Sequence, residues 1–160
     1  MSAALREELR DFVYREARLL DEGHFDEWLQ LFAKDGVYWM PLEPGQTDPK
    51  HVTSLLYEDL FMLTLRVRRL EGARTFSQYP PSRGHHLLAW PAVDEADEDA
   101  NVFVVTTAFH YVETRLDDQE LYAGWARHEL IREDGAFKIA LKRVDLVNCD
   151  AAFGNIQLMM

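Results

Sequence analysis

The stretch from Val102 to Leu146 constrains this chain more than any other. VFVVTTAFHYVETRL, ELYAGWARHELIRE and AFKIALKRVDLV are three runs dense in β-branched and aromatic residues, with the apolar positions alternating, so they predict three long strands in succession. Asp134-Gly135, between the last two, is a strong two-residue hairpin signal and fixes a register. Glu133 then lies opposite Ala136, Leu130 opposite Ile139 and His128 opposite Leu141. The other face of that hairpin carries Arg127, Glu129, Lys138 and Lys142, a solvated or interfacial surface. With Asp117-Asp118 turning the preceding hairpin, Phe103, Val105, Phe109, Tyr111 and Tyr122 join the apolar face, and His128 sits among them.

What precedes the strands is helical. After Ser2, Leu5, Leu9, Phe12, Val13 and Ala17 share one face of an amphipathic helix ending near Gly23. Asp26 opens a shorter helix, DEWLQLF, with Trp28, Leu29 and Phe32 inward, and Gly36 releases the chain into the short strand VYWMP. The polar LEPGQTDPKH is a loop. Leu56, Leu60, Leu63, Val67 and Leu70 then form the stripe of a third helix, capped by Thr53 or Ser54 and stopped at Gly72. HHLLAWPAV reads as a strand and DEADED as an exposed acidic turn. Helices come first and sheet second, and the helices must cover the apolar sheet face. The fold class is α+β, a curved antiparallel sheet wrapped as a cone around N-terminal helices. At 160 residues the chain is expected to be one domain, spanning 1–160. The apolar end of the chain must dock to leave water.

A net charge of -11 repels a phosphate backbone, and no basic run interleaves with aromatics, which excludes nucleic acid as a partner. No apolar run approaches the roughly 20 residues of a membrane span, and MSAALREELRDF lacks the apolar block of a signal peptide, so a cytosolic protein is expected. Cys149 is the sole cysteine, which rules out a disulfide or a cysteine-held iron–sulfur cluster within one chain. The six histidines show no HExxH or facial-triad spacing, and neither GxSxG nor a Walker sequence occurs. Two chemical features remain. One is the arginine block Arg66, Arg68 and Arg69, read either as a solvated helix face paired with Glu58, Asp59 and Glu71 or as an interface. The other is His128 among Tyr111 and Tyr122, read either as a core histidine or as a general base in a pocket.

Several stretches together resemble a known family. VYREARLLDEGHFDEWLQLF (Val13 to Phe32), VYWMPL (Val37 to Leu42), LRVRRLEG (Leu65 to Gly72), YPPSRGHHL (Tyr79 to Leu87) and the closing KIALKRVDLVN look like the small (β) subunit of aromatic-ring-hydroxylating dioxygenases. The resemblance covers almost the whole chain in order. It implies a fold of the ketosteroid-isomerase, nuclear-transport-factor or cystatin-like type, and assembly of three small with three large (α) subunits. It further implies a Rieske 2Fe-2S cluster and a mononuclear Fe(II) on the large subunit, with electrons arriving from NADH through a reductase, often by way of a ferredoxin. The small chain would then hold no cofactor and be mainly structural in an enzyme that cis-dihydroxylates an aromatic compound. On that reading Tyr38, Trp39, Arg66, Arg68, Arg69, Pro80, Pro81 and Arg83 are expected at subunit contacts. The rival reading is a stand-alone cone-fold isomerase or dehydratase with His128 as base and Tyr111 or Tyr122 beside it.

Overall fold

The computed structural model describes residues 1–72, 81–151 and 158–160. Three helices, α1 (Ala3–Asp21), α2 (Phe25–Leu29) and α3 (Leu60–Gly72), accompany seven strands: β1 (Phe32–Pro41), β2 (Ser54–Asp59), β3 (Arg83–Leu88), β4 (Ala92–Asp97), β5 (Val102–Arg115), β6 (Asp118–Glu133) and β7 (Ala136–Leu146).

α1 starts where Ser2 Oγ accepts the Leu5 N–H. Leu5, Leu9, Phe12, Val13, Ala17 and Leu20 form its buried stripe, as the spacing predicts, and Glu16 falls within that stripe. The strands run β2-β1-β7-β6-β5-β3, with β4 also on β5. β5 is long enough to serve two partners: its first half pairs with β4 and its second with β3. Inward residues of the sheet and the helix stripes form one core that takes in Phe103, Val105, Phe109, Tyr111 and Tyr122. Beyond the β5–β7 meander, β1 pairs antiparallel with β2 but parallel with β7, so the sheet is mixed rather than wholly antiparallel.

Several boundaries differ from the sequence reading. Phe32 opens β1 instead of closing the short helix. Ser54 to Asp59, taken as the start of the arginine helix, is β2, because Trp39, Tyr57 and their neighbours pair as an edge ladder. α3 therefore begins at Leu60 with Asp59 as its cap, Asp59 Oδ1 accepting the Met62 N–H at 2.9 Å. Four of the six residues of the acidic run, Asp94 to Asp97, are in strand β4, and HHLLAWPAV is divided between β3 and β4. The β5–β6 turn is Leu116-Asp117, one residue earlier than Asp117-Asp118, since Arg115 pairs with Asp118. The Asp134-Gly135 hairpin is as expected, both residues having positive φ.

The register beyond that hairpin carries the most consequential difference. Glu133 faces Ala136 and Leu130 faces Ile139, but the next pair is Glu129 with Leu141. Ala140 is the extra residue of a β-bulge. From there on every β7 side chain changes face: His128 lies opposite Lys142 rather than Leu141, and Lys142, expected on the charged outer face, is 1% exposed. The neighbouring strand β1 is itself irregular between Phe32 and Val37. A Cβ on Gly36 would lie 2.5 Å from the Ile139 carbonyl and 2.9 Å from that of Ala33, so only glycine lets β1 cross there.

Candidate functional site

In a cone of this type the natural place for chemistry is the interior, between the helices and the concave sheet face. Around His128 that space is occupied by described residues. Glu16 of α1 reaches it, 2% exposed, and Lys142 Nζ donates to Glu16 Oε1 at 2.5 Å. The indole Nε1 of Trp28 donates to the same oxygen at 2.9 Å. His128 Nε2 donates to Glu16 Oε2 at 3.3 Å, which places the imidazole proton on Nε2 because a carboxylate only accepts. Burial alone would raise the Glu16 carboxyl. The Lys142 charge, with the hydrogen bond and charge of His128, outweighs it and holds the group far below the ordinary carboxylate range.

Leu158, Met159 and Met160 are buried against the same core. The Tyr38 hydroxyl donates to the Met160 carbonyl at 3.3 Å and accepts from its N–H at 3.2 Å. Burial pushes the Tyr38 phenol well above its usual range. Glu113 Oε1 accepts the Leu158 N–H at 2.9 Å. What remains between Glu16, Thr107, His128, Lys142 and Met160 is a cavity of about 10 Å³. That is room for about one water molecule, against the roughly 300 Å³ or more of a small-molecule site.

The second interior histidine, His86, is tied differently. Its Nδ1 is 2.6 Å from Asp21 Oδ1 and its N–H donates to Asp21 Oδ2 at 2.9 Å, joining the end of α1 to β3. Its ring lies tilted at 47° against Tyr111, the centroids 4.6 Å apart. Tyr111 and Tyr122 are buried as expected, with centroids 6.2 Å apart. Burial pushes the pKa of both phenols above the usual tyrosine range, which keeps them neutral. The polar partner that His128 has is Glu16, a residue the sequence reading passed over. Its signal was a carboxylate in the apolar stripe of α1. Among the described residues no three His, Cys, Asp or Glu converge as a metal site, and no helix is long and apolar enough to cross a membrane.

The residues expected at subunit contacts are placed unevenly. Tyr38 is 0% exposed and Trp39 5%, so both are core residues of this chain. Trp39 Nε1 donates to Ser54 Oγ, and the Arg143 guanidinium lies 4.5 Å over its ring. Arg66 is half-buried and forms a bidentate pair with Glu58, whereas Arg68 pairs at the surface with Glu71. Arg69, Pro81 and Arg83 are exposed. Pro80 lies outside the described residues. The larger open apolar surface was not foreseen. It is the outer face of the sheet at β3, β5 and β6, a groove of about 430 Å³ between Leu87, His110, Trp125 and Val147.

A helix-lined cone built on a curved mixed sheet is the fold of a broad group of proteins, and similar structures extend to a putative scytalone dehydratase from Novosphingobium aromaticivorans (TM-score 0.65, 14% identity, 90% of this chain and 85% of that one). Sequence narrows the group. Residues 15–151 match the family model described as ring hydroxylating beta subunit, and the chain belongs to that family. It is 34% identical over 140 residues to the small oxygenase component of the p-cumate 2,3-dioxygenase system of Pseudomonas putida, covering 86% of this chain and 77% of that protein. It also resembles the crystal structure of the beta subunit of benzoate 1,2-dioxygenase from Burkholderia mallei, with a TM-score of 0.74, 31% identity and 92% of each chain covered.

Proposed function

We propose that this chain is the mainly structural small subunit of a multicomponent dioxygenase that cis-dihydroxylates an aromatic compound in catabolism, using dioxygen and NADH-derived electrons. The chemistry belongs to a large (α) subunit carrying a Rieske 2Fe-2S cluster and a mononuclear Fe(II). The assembled enzyme has three large and three small subunits, receives its electrons from a reductase or ferredoxin, and works in the cytoplasm. This chain contributes one domain over residues 1–160.

The observation that carries this reading is the filled interior around His128. Among the described residues, Met160 and the Glu16–His128–Lys142 cluster leave about 10 Å³ around His128, which admits no aromatic substrate at that candidate base. The donor set agrees: a Rieske cluster needs two cysteines and two histidines, and this chain has one cysteine, buried Cys149. Arg69, Pro81 and Arg83, exposed and without a core role, remain proposed contacts at the helix and loop end, together with Arg68 and the neighbouring Pro80.

The test is reconstitution with the large subunit encoded beside it. The expected result is a stable hetero-oligomer whose iron is all on the large chain. Its turnover per assembled complex is unchanged by His128→Ala. Isomerase or dehydratase turnover by the isolated chain, abolished by His128→Ala, would replace this reading with the stand-alone enzyme.

A further inference from the structure

The geometry points to the outer face of the sheet at β3, β5, β6 and the end of β7 as the docking surface for the large oxygenase subunit, received as an apolar ridge with lysine or arginine on its flanks. This rests on the functional reading above and adds where the partner sits.

Three features lead there. First, the face is apolar where nothing among the described residues covers it: Leu87 is 66% exposed, Trp125 50% and Val147 59%. Leu87 pairs with His110, His110 with Ala123, and the Val147 N–H reaches the Ala123 carbonyl, so these residues form one row across the strands. Contiguous apolar surface of this kind, on the side of a two-layer fold away from its helices, marks an interaction site. It is a shallow groove of about 430 Å³, with room for an apolar ridge.

Second, the sheet is adjusted to present it. The bulge at Ala140 turns Lys142 into the core, and in the same step turns Arg143, Asp145 and Val147 outward. In the unbulged register the outward positions would be Val144 and Leu146, and Val147 would be lost from the groove.

Third, the charges select the occupant. The outward arginines of β6 and β7 are already tied along their own strands, Arg127 to Glu129 at 3.1 Å and Arg143 to Asp145 at 2.7 Å. Asp94 lies beyond one end of the groove, held on Thr106, and exposed Asp117 and Asp118 lie beyond the other. A second copy of this chain, at -11, would bring acid against acid. A partner with basic flanks gains at both ends.

The experiment compares Trp125→Glu and Val147→Glu with Tyr14→Glu, a control charge on the exposed side of α1. Each purified chain is titrated into the purified large subunit, at low and at moderate salt, with assembly read by sedimentation and folding by thermal melting. The expected result is that both sheet-face variants melt as wild type yet bind at least tenfold more weakly, that Tyr14→Glu binds normally, and that salt weakens the wild-type complex. Normal assembly of both sheet-face variants overturns the docking site while leaving the functional reading intact. Equal loss with Tyr14→Glu overturns it too, by making the effect one of net charge. A wild-type chain that ignores the large subunit and self-associates through this face, dispersed by Trp125→Glu, makes the occupant a second copy and sinks the functional reading with it.

Discussion

Replacing Glu16 by leucine removes the acceptor that three buried donors share. Trp28 Nε1, His128 Nε2 and Lys142 Nζ all point at its two oxygens, and Lys142 and Glu16 are each no more than 2% exposed. Taking one partner from a buried ion pair costs about 3–5 kcal/mol, because the surviving charge stays desolvated. For a chain of this size that corresponds to a melting temperature lowered by roughly 6–20 °C. Lys142→Met is the matching single loss, leaving the buried Glu16 carboxylate without the lysine charge. The double variant removes both charges and leaves only the indole and imidazole N–H groups without an acceptor, at about 1–3 kcal/mol each. It should therefore be more stable than the sum of the two single losses implies. Urea unfolding of the four proteins, analysed as a double-mutant cycle, measures this directly. A Glu16→Leu protein within about 1 kcal/mol of wild type, or strictly additive losses, would show that the cluster is hydrated and that the buried-pair reasoning fails.

The same carboxylate gives a pH dependence. Its folded value is depressed relative to the ordinary 4.5, so the stability it contributes is complete above that pH and is lost as pH falls below it; acid unfolding of wild type should be steeper than that of Glu16→Gln, whose side chain does not titrate. Gly36→Ala drives a methyl group into the Ile139 carbonyl and is expected to cost about 1–3 kcal/mol, seen as a lower urea midpoint, with no loss if β1 can step aside. Asp21→Asn weakens the clasp on the His86 ring and backbone and should cost about 1–3 kcal/mol, with faster amide exchange along β3 as its local signature. Arg66→Ala leaves Glu58, 7% exposed, without its bidentate partner, and a similar loss in thermal melting is expected.

The alternation of Val102 to Leu146 made the three long strands readable, and the hairpin residues located the second turn. The five aromatic and aliphatic positions assigned to the inner face are all buried. Pairing of β1 with β7 was not readable, because a parallel partner distant in sequence leaves no turn between the strands to mark it. The bulge was hidden for another reason. Ile139, Ala140 and Leu141 are all apolar, so the pattern tolerates either register. What decides is the carboxylate on α1 that Lys142 reaches, a tertiary contact. Ser54 to Asp59 misled because its leucines continue a helical spacing into a strand. Tyr38 and Trp39 were assigned to an interface on aromatic character, but their neighbours within the chain, Met160 and Arg143, bury them. The resemblance supplied the family. It could not say that the space around His128 is filled, since that depends on the burial of Met159 and Met160.

The parallel pairing of β1 with β7 also orders events during synthesis. Phe32 to Trp39 must wait for Ile139 to Arg143, so β1 cannot dock until nearly the whole chain has left the ribosome. Contacts this distant in sequence form slowly. Until then the nascent chain carries α1 and α2 with their apolar stripes uncovered, a surface that chaperones bind and that aggregates when they are scarce. Yield of soluble protein should therefore respond to translation speed and chaperone supply more than to the equilibrium stability of the finished fold.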